Sequence, residues 1–273
     1  MKKLIVSSAL FAALSFAFNL SAQTLLSQYT LDGIATDSGS VGADGALFGA
    51  ASYINNAPGI YSQSLDVTGA ANSYLEANVG NAYEGLTQMT VTVWVNLQGT
   101  PSSNDRLVSN LTTSDGGSTY DGFDLRISNS NNPSSFQANF NVDAATGPAA
   151  STSSYNANNT WSFIAVVYDG TLGSNQVSFY SGSESANVGY LNSSTEGGGG
   201  LDLSSILRIG STAASGSDRT PPAYFSDVRV YDGLLDLGQL ESVRSSAIPE
   251  PASVALVFGS CVFLYGLFRR RRF

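Results

Sequence analysis

Carboxylates and hydroxyls are the reactive side chains this sequence has in quantity: there are 21 Asp and Glu, no His, and a single Cys, Cys261. Without histidine there is no Ser-His-Asp or Cys-His relay and no imidazole base at neutral pH, so the many serines have nothing to activate them. One cysteine cannot close an intrachain disulfide, and no zinc centre of the His-containing or all-cysteine type can be built. Oxygen chemistry remains. Carboxylates in turns suit calcium, a hard cation with oxygen ligands. Two carboxylates flanking a glycosidic bond about 5–5.5 Å apart could cleave it with retention, but the acids do not fall into that pattern. Glu76 and Glu84 are isolated, and Asp121 and Asp124, three apart, point to opposite faces of a strand. Asp227 and Arg229 share a face, and a structural ion pair is the commoner meaning of such a couple. Stacking is the last option. Trp94 projects with Thr90, Thr92 and Asn96 from the polar side of its strand, where its ring could lie on a sugar while its neighbours bond hydroxyls. The alternative is a Trp packed beneath a covering loop.

The elements that must position these residues read as strands. Met89, Val91, Val93, Val95 and Leu97 alternate with Thr90, Thr92, Trp94 and Asn96, which predicts a half-buried strand. Phe123, Leu125 and Ile127 alternate with Asp124 and Arg126, and Phe136, Ala138, Phe140 and Val142 with Gln137, Asn139 and Asn141. Trp161–Tyr168 is apolar almost throughout and predicts a central strand covered on both faces. Further strands are expected around Val177–Phe179, Ile206–Ile209 and Phe225–Tyr231, separated by Gly, Ser, Asn and Asp turns. Ala144–Ser154 and Ser193–Gly200 read as mobile surface loops. One helical signal stands out between the chain ends: Asp236 as a cap, followed by Leu240 and Val243 on one face. The expected class is all-β, an antiparallel two-sheet sandwich or jelly roll of about 225 residues.

Both ends of the chain read as addresses. Met1-Lys2-Lys3, an apolar run from Leu4 to Phe18 and the small residues before Gln23 make a secretory signal peptide over 1–22. At the other end Pro249-Glu250-Pro251 precedes seventeen uncharged residues, Ala252–Phe268, and then Arg269, Arg270, Arg271 and Arg272. An apolar helix of that length spans roughly 26 Å, the short limit for a bilayer, and the arginines should stay cytoplasmic. The two ends hold six of the twelve basic residues and one of the 21 acids. Residues 23–247 therefore carry six arginines, no lysine and twenty carboxylates, a net charge near −14. That balance argues against nucleic acid or anionic lipid as a charge-driven partner.

Pro-Glu-Pro, a short apolar helix and a terminal arginine cluster together resemble the PEP-CTERM sorting signal of Gram-negative bacteria, here residues 248–273. The resemblance implies export through the Sec pathway and handling by an exosortase-type enzyme. The destination would be the cell surface or an exopolysaccharide matrix, with the C-terminal transmembrane helix in the membrane before processing. An ordinary single-span anchor is the alternative.

The mature portion, 23–247, is similar to the LamG-like jelly rolls of the concanavalin A-like lectin/glucanase superfamily. The pieces that carry the likeness are ordered along the chain. They run from Tyr29–Gly33, Asp37–Gly39 and Asp44–Leu47 through Ser64–Val67 and Ser73–Glu76 to the strand around Trp94 and Trp161–Gly170. Leu207–Gly210 and Asp227–Leu235 complete the series. The likeness implies a curved sandwich used for adhesion or carbohydrate binding, often with structural calcium. Glucanases of that fold carry a strand of alternating acids, and no such strand occurs here, so no catalysis is expected. Asp32 and Asp37 in the first turn-rich loop, with Asp227 on a strand the family places beside the N-terminal one, form the candidate calcium ligands; solvated turn aspartates are the alternative. Two readings follow. One is a noncatalytic surface or matrix protein that binds polysaccharide or another extracellular partner, and the other is a purely structural matrix component with no specific ligand.

Overall fold

A computed structural model describes residues 23–102, 104–113, 120–127, 136–143, 149–151, 155, 158–213 and 218–248. Its strands, in chain order, begin with β1 (Thr24–Tyr29), β2 (Gly45–Phe48), β3 (Ser52–Ile54), β4 (Ser64–Asp66), β5 (Tyr74–Asn78) and β6 (Gln88–Leu97). They continue with β7 (Arg106–Ser109), β8 (Thr112–Thr113), β9 (Tyr120–Asp121), β10 (Phe123–Ile127), β11 (Ala138–Val142) and β12 (Ala149–Ala150). The last are β13 (Ser162–Asp169), β14 (Val177–Ser183), β15 (Gly189–Ser194), β16 (Ile206–Ile209) and β17 (Ala223–Asp232), followed by one helix, α1 (Leu237–Ser246).

Two sheets carry the fold. Sheet I has eight strands in the order β15-β14-β13-β6-β17-β4-β3, with β1 also paired to β17. Sheet II has seven, in the order β12-β11-β10-β7-β16-β5-β2, and β8 and β9 form a separate two-stranded ribbon. The strand pairings of both sheets are antiparallel. The expected all-β two-sheet antiparallel sandwich is therefore what forms.

The core between the sheets follows from strand alternation. Val91, Val93 and Val95 of β6, Ile164 and Val166 of β13, and Phe225, Val228 and Val230 of β17 meet Leu75, Leu207, Phe123, Leu125 and Phe140 from sheet II. Tyr83, Phe123, Phe140 and Tyr168 form a chain of ring contacts through it, with centroids 5.9–6.3 Å apart. β17 lies alongside β6 on one edge and serves first β4 and then β1 on the other. A bulge between Ser226 and Arg229 lets it change partner, with Asp227 at φ 43. Asp tolerates that conformation better than most residues.

Sheet I also carries an apolar patch on its outer face. There Trp94, Phe163, Ala165 and Val167 form a second cluster with Leu240 and Val243 of α1 and Ala247 at its C-cap. The helix starts on a capping box, in which Asp236 accepts from the Gln239 N–H and Gln239 reaches back to the Asp236 N–H. Its other end is tied down by Arg244, which donates to Ser183 O on β14, and by Ser246, whose hydroxyl accepts from Arg229. The helical signal at Asp236 is thus realised.

Three expectations need correction. β6 is buried on both faces rather than half-buried, because α1 and the segment after β17 close its polar side: the Thr90 hydroxyl donates to Gly233 O and accepts from Leu235 N. Trp94 is 0% exposed and packs on Phe163 at 5.5 Å, so no sugar ring reaches it. The segment through Gly200 is not a free loop. Ser193 and Ser194 belong to β15, Tyr168 donates its hydroxyl to the carbonyls of Gly197 and Gly199, and the Leu201 N–H bonds to Leu86 O. Of Ala144–Ser154, residues 149–150 are strand β12 and the rest lies mostly outside the described residues, as do residues 1–22, where a signal peptide is expected, and the expected sorting segment Pro249–Phe273. Among the described residues no helix is long and apolar enough to cross a membrane.

Trp94→Ala should cost about 3–5 kcal/mol by emptying the seal beneath α1. Chemical denaturation measures it; a loss under about 1 kcal/mol would show the ring is not part of the packing.

Candidate functional site

The outer face of sheet II is built differently. In β5, β16, β10 and β11 every second residue enters the core: Leu75 and Ala77, Leu207 and Ile209, Phe123 to Ile127, Ala138 to Val142. The residues between them must face outward. Register then lays one residue from each of five adjacent strands in a line: Glu76 opposite Arg208, Arg208 opposite Ser109, Ser109 opposite Asp124, and Asp124 opposite Asn141. With strands about 4.8 Å apart the line is roughly 19 Å long. No apolar side chain interrupts it.

The line runs from open to buried. The side chains of Glu76 and Arg208 are 23% and 19% exposed, whereas Ser109, Asp124 and Asn141 are buried. At the buried end Asp124 pairs with Arg106, and Arg126 and Asn139 lie on the same outward side. The Oδ1 atoms of Asn139 and Asn141 and the Nε of Arg126 have no hydrogen-bond partner among the described residues. Burial pushes the Asp124 carboxyl up and the Arg106 guanidinium down, while their mutual attraction favours the charged pair.

Glu196 stands beside this cluster. It enters from the chain after β15, and its two carboxylate oxygens accept from Val142 N of β11 and Ala149 N of β12, at 3.3 and 2.8 Å. Burial raises it to about 7, against the lowering effect of those two bonds; Asp124 raises it further and Arg126 lowers it. Burial likewise raises Asp105 and Asp143 to about 6. These carboxylates hold strands and turns together: Asp105 accepts from Ser102 N, and Asp143 accepts from Gly122 N.

At the open end the edge strand β2 brings Phe48 directly opposite Tyr74 of β5. Their rings stack at 5.2 Å with 18° between planes, and Phe48 is 40% exposed. Arg208 lies over Tyr74, with Cζ 4.2 Å from the ring centroid, and donates to Glu76 from Nε and to Thr212 O from one terminal nitrogen. Sequence reading missed Phe48 and Tyr74. Alternation with Leu47 and Leu75 marks both as outward residues, but only the β2–β5 pairing shows that they meet.

Of the residues singled out in sequence, Asp37 and Asp227 are drawn together through Gln28, whose backbone N–H donates to Asp37 and whose side-chain amide donates to Asp227. Asp37 also accepts from Gly39 N and Ala43 N, and Asp227 holds Arg229 by two bonds of 2.9 and 2.8 Å. Asp32 is used elsewhere, accepting from Ser62 N and Gln63 N. Among the described residues no three acidic, His or Cys side chains gather as metal ligands. In this arrangement Asp32, Asp37 and Asp227 do not gather as one ligand set, and each carboxylate accepts from backbone N–H groups or pairs with an arginine.

Two antiparallel sheets packed face to face, with a helix over part of one outer face, define a jelly-roll type of β-sandwich. The chain belongs to the Laminin_G_3 family of the concanavalin A-like lectin/glucanases superfamily, which matches residues 68–240. Among solved structures, domain 4 of AbnA, a GH43 extracellular arabinanase from Geobacillus stearothermophilus, solved with arabinotriose, is 15% identical at a TM-score of 0.53, covering 81% of this chain and 98% of that one. The botulinum neurotoxin serotype D ligand-binding domain, solved with N-acetylneuraminic acid, is 11% identical at 0.57, covering 82% of this chain. The botulinum neurotoxin DC binding domain, solved with rat synaptotagmin II, is 12% identical at 0.57, again over 82% of this chain. This chain spans about half the length of the two toxin chains (51% of each), and at such identities the likeness is one of fold. A comparison with curated protein sequences gives no match.

Two predictions follow from this chemistry. Adding EDTA or millimolar calcium should leave the melting temperature unchanged, while Asp37→Ala lowers it; a calcium-dependent rise in melting temperature that Asp37→Ala removes would restore the shared metal site. Carboxyls raised by burial favour the folded state when protonated, so their contribution is full below their unfolded values and fades as pH rises through 6–7. Stability should therefore fall between about pH 5 and 7.5, and Glu196→Gln should flatten that slope. A melting temperature that climbs over this window would contradict the assignment.

Proposed function

We propose that this chain is an exported, noncatalytic binding protein whose sandwich engages extracellular carbohydrate through the outer face of sheet II. The observation that carries the reading is the contrast between the two outer faces. One has an apolar patch closed by α1, and the other carries a polar line whose open end, Glu76 and Arg208, adjoins the exposed Phe48 stacked on the half-buried Tyr74. Aromatic rings beside hydrogen-bonding groups are what a sugar needs, its C–H face on the ring and its hydroxyls on the polar neighbours. Two proteins of like fold were solved with sugars bound, arabinotriose and N-acetylneuraminic acid, which supports this choice of ligand class.

Binding without cleavage fits the carboxylates. The raised pair, Asp124 and Glu196, is buried; Arg106 faces the first, and two backbone N–H groups occupy the second. Glycoside hydrolysis needs its acid and its partner carboxylate against the scissile bond, and neither of these is offered to a substrate.

The signal-like N-terminus and the Pro-Glu-Pro, apolar, arginine-rich C-terminus support export through the Sec pathway and sorting by an exosortase-type enzyme to the surface or matrix. Both ends of the sandwich sit beside α1. Gln23 bonds to Gln239 and to Leu234 O, and Ala247 O accepts from Ile60 N at the helix's far end. An anchor following Ile248 would hold the α1 side toward the envelope and leave sheet II facing the matrix.

The test is incubation of the full chain with the producer's own exopolysaccharide. Co-sedimentation without release of reducing ends is expected. Release of reducing ends would make the protein an enzyme, and absence of co-sedimentation would favour an inert structural component.

A further inference from the structure

Resting on that reading, we infer that Phe48, Tyr74 and Glu76 form a stacking subsite for an uncharged sugar unit, which makes the ligand a neutral polysaccharide. Phe48 lies on β2, the edge strand of sheet II, and its ring is held by the Tyr74 ring at 5.2 Å. Tyr74 is in turn covered by the Arg208 guanidinium at 4.2 Å. Three flat groups, Phe48, Tyr74 and Arg208, are thus layered side by side along the sheet, which fixes the Phe48 ring before any ligand arrives. A pre-set aromatic surface loses little side-chain freedom on binding.

The cation in this stack is not free to receive an acid. Arg208 donates from Nε to Glu76 Oε2 and from one terminal nitrogen to Thr212 O, at 2.7 and 2.6 Å; its other terminal nitrogen also pairs with Glu76, at 2.7 Å. What the subsite offers a ligand is therefore a ring face and a partly exposed carboxylate, an acceptor for hydroxyl donors. A uronate or sialate carboxylate placed here would meet Glu76 rather than Arg208. It would also approach a domain with no lysine and a net charge near −14. Uncharged hexose or pentose units meet neither penalty.

A second exposed aromatic gives an internal control. Tyr190, 55% exposed, stands at the opposite edge of the sandwich on β15, edge-on to Tyr180 at 5.6 Å, and its hydroxyl is bonded to Ser193. It belongs to sheet I and should not contribute.

The experiment is affinity electrophoresis of the full chain through gels containing arabinan, a mixed-linkage β-glucan, or polygalacturonate as the acidic probe. Wild type, Phe48→Ala, Glu76→Gln and Tyr190→Ala are compared, with thermal melts to confirm folding. Wild type should be retarded by at least one neutral polymer and not by polygalacturonate. Phe48→Ala should weaken that retardation about tenfold with its melting temperature nearly unchanged, and Tyr190→Ala should match wild type. Glu76→Gln should weaken retardation on neutral polymers without creating it on polygalacturonate. Equal retardation of Phe48→Ala and wild type would overturn the subsite while leaving carbohydrate binding in place. Retardation by polygalacturonate alone would overturn the neutral specificity. A wild type retarded by no polymer would overturn the binding reading itself, and the subsite with it. A dimer in sedimentation that Phe48→Ala dissolves would assign the ring to self-association instead.

Discussion

The arrangement depends on sheet I carrying an apolar patch on its outer face in addition to its apolar inner face. A sandwich buries one face of each sheet against the other, and most antiparallel sheets leave the second face to water. Here β6 and β13 place Trp94, Phe163, Ala165 and Val167 on the far side, and these must be covered. A single ten-residue helix covers them, fastened by a capping box at one end and by Arg244 and Arg229 at the other. The sandwich's own ends lie on the same side, with Gln239 donating to Gln23 and Ala247 O accepting from Ile60 N.

Electrostatics narrows what the open face can hold. The domain has twenty carboxylates and six arginines, and at least four of those arginines are committed to acids: Arg106 to Asp124, Arg208 to Glu76, Arg229 to Asp227 and Arg244 to Glu241. Several carboxylates act as internal acceptors for backbone N–H groups; Asp37 alone takes three, from Gln28, Gly39 and Ala43. Such a carboxylate organises a loop in the way a bound cation could. Asp37 and Asp227, two of the residues that suggest calcium, close the loop around β1 through Gln28 and backbone N–H groups.

Much of the fold was legible in the sequence, and the site much less so. The strands at Met89–Leu97 and Phe123–Ile127, the apolar run of β13 and the cap at Asp236 each have a local cause and form where the pattern places them, although β6 is more buried than its alternation implies. The misplacement of Trp94 has a non-local cause: whether the polar side of β6 meets water depends on a helix more than 140 residues later in the chain. The line from Glu76 to Asn141 is invisible in sequence for the same reason, since its members come from five strands joined by register. Phe48 is set in a four-residue strand, too short for periodicity to single out. Glu196, in the stretch that reads as a flexible glycine loop, owes its burial to two N–H groups on β11 and β12.

The contrast between a sealed and a presenting face is tested most directly by hydrogen exchange of the full chain with and without a bound neutral oligosaccharide. Slower exchange confined to Gly45–Phe48, Tyr74–Asn78 and Ile206–Ile209, with Leu237–Ser246 unchanged, is the predicted result. Protection confined to the helix and the outer side of sheet I, with β2, β5 and β16 unaffected, would contradict it.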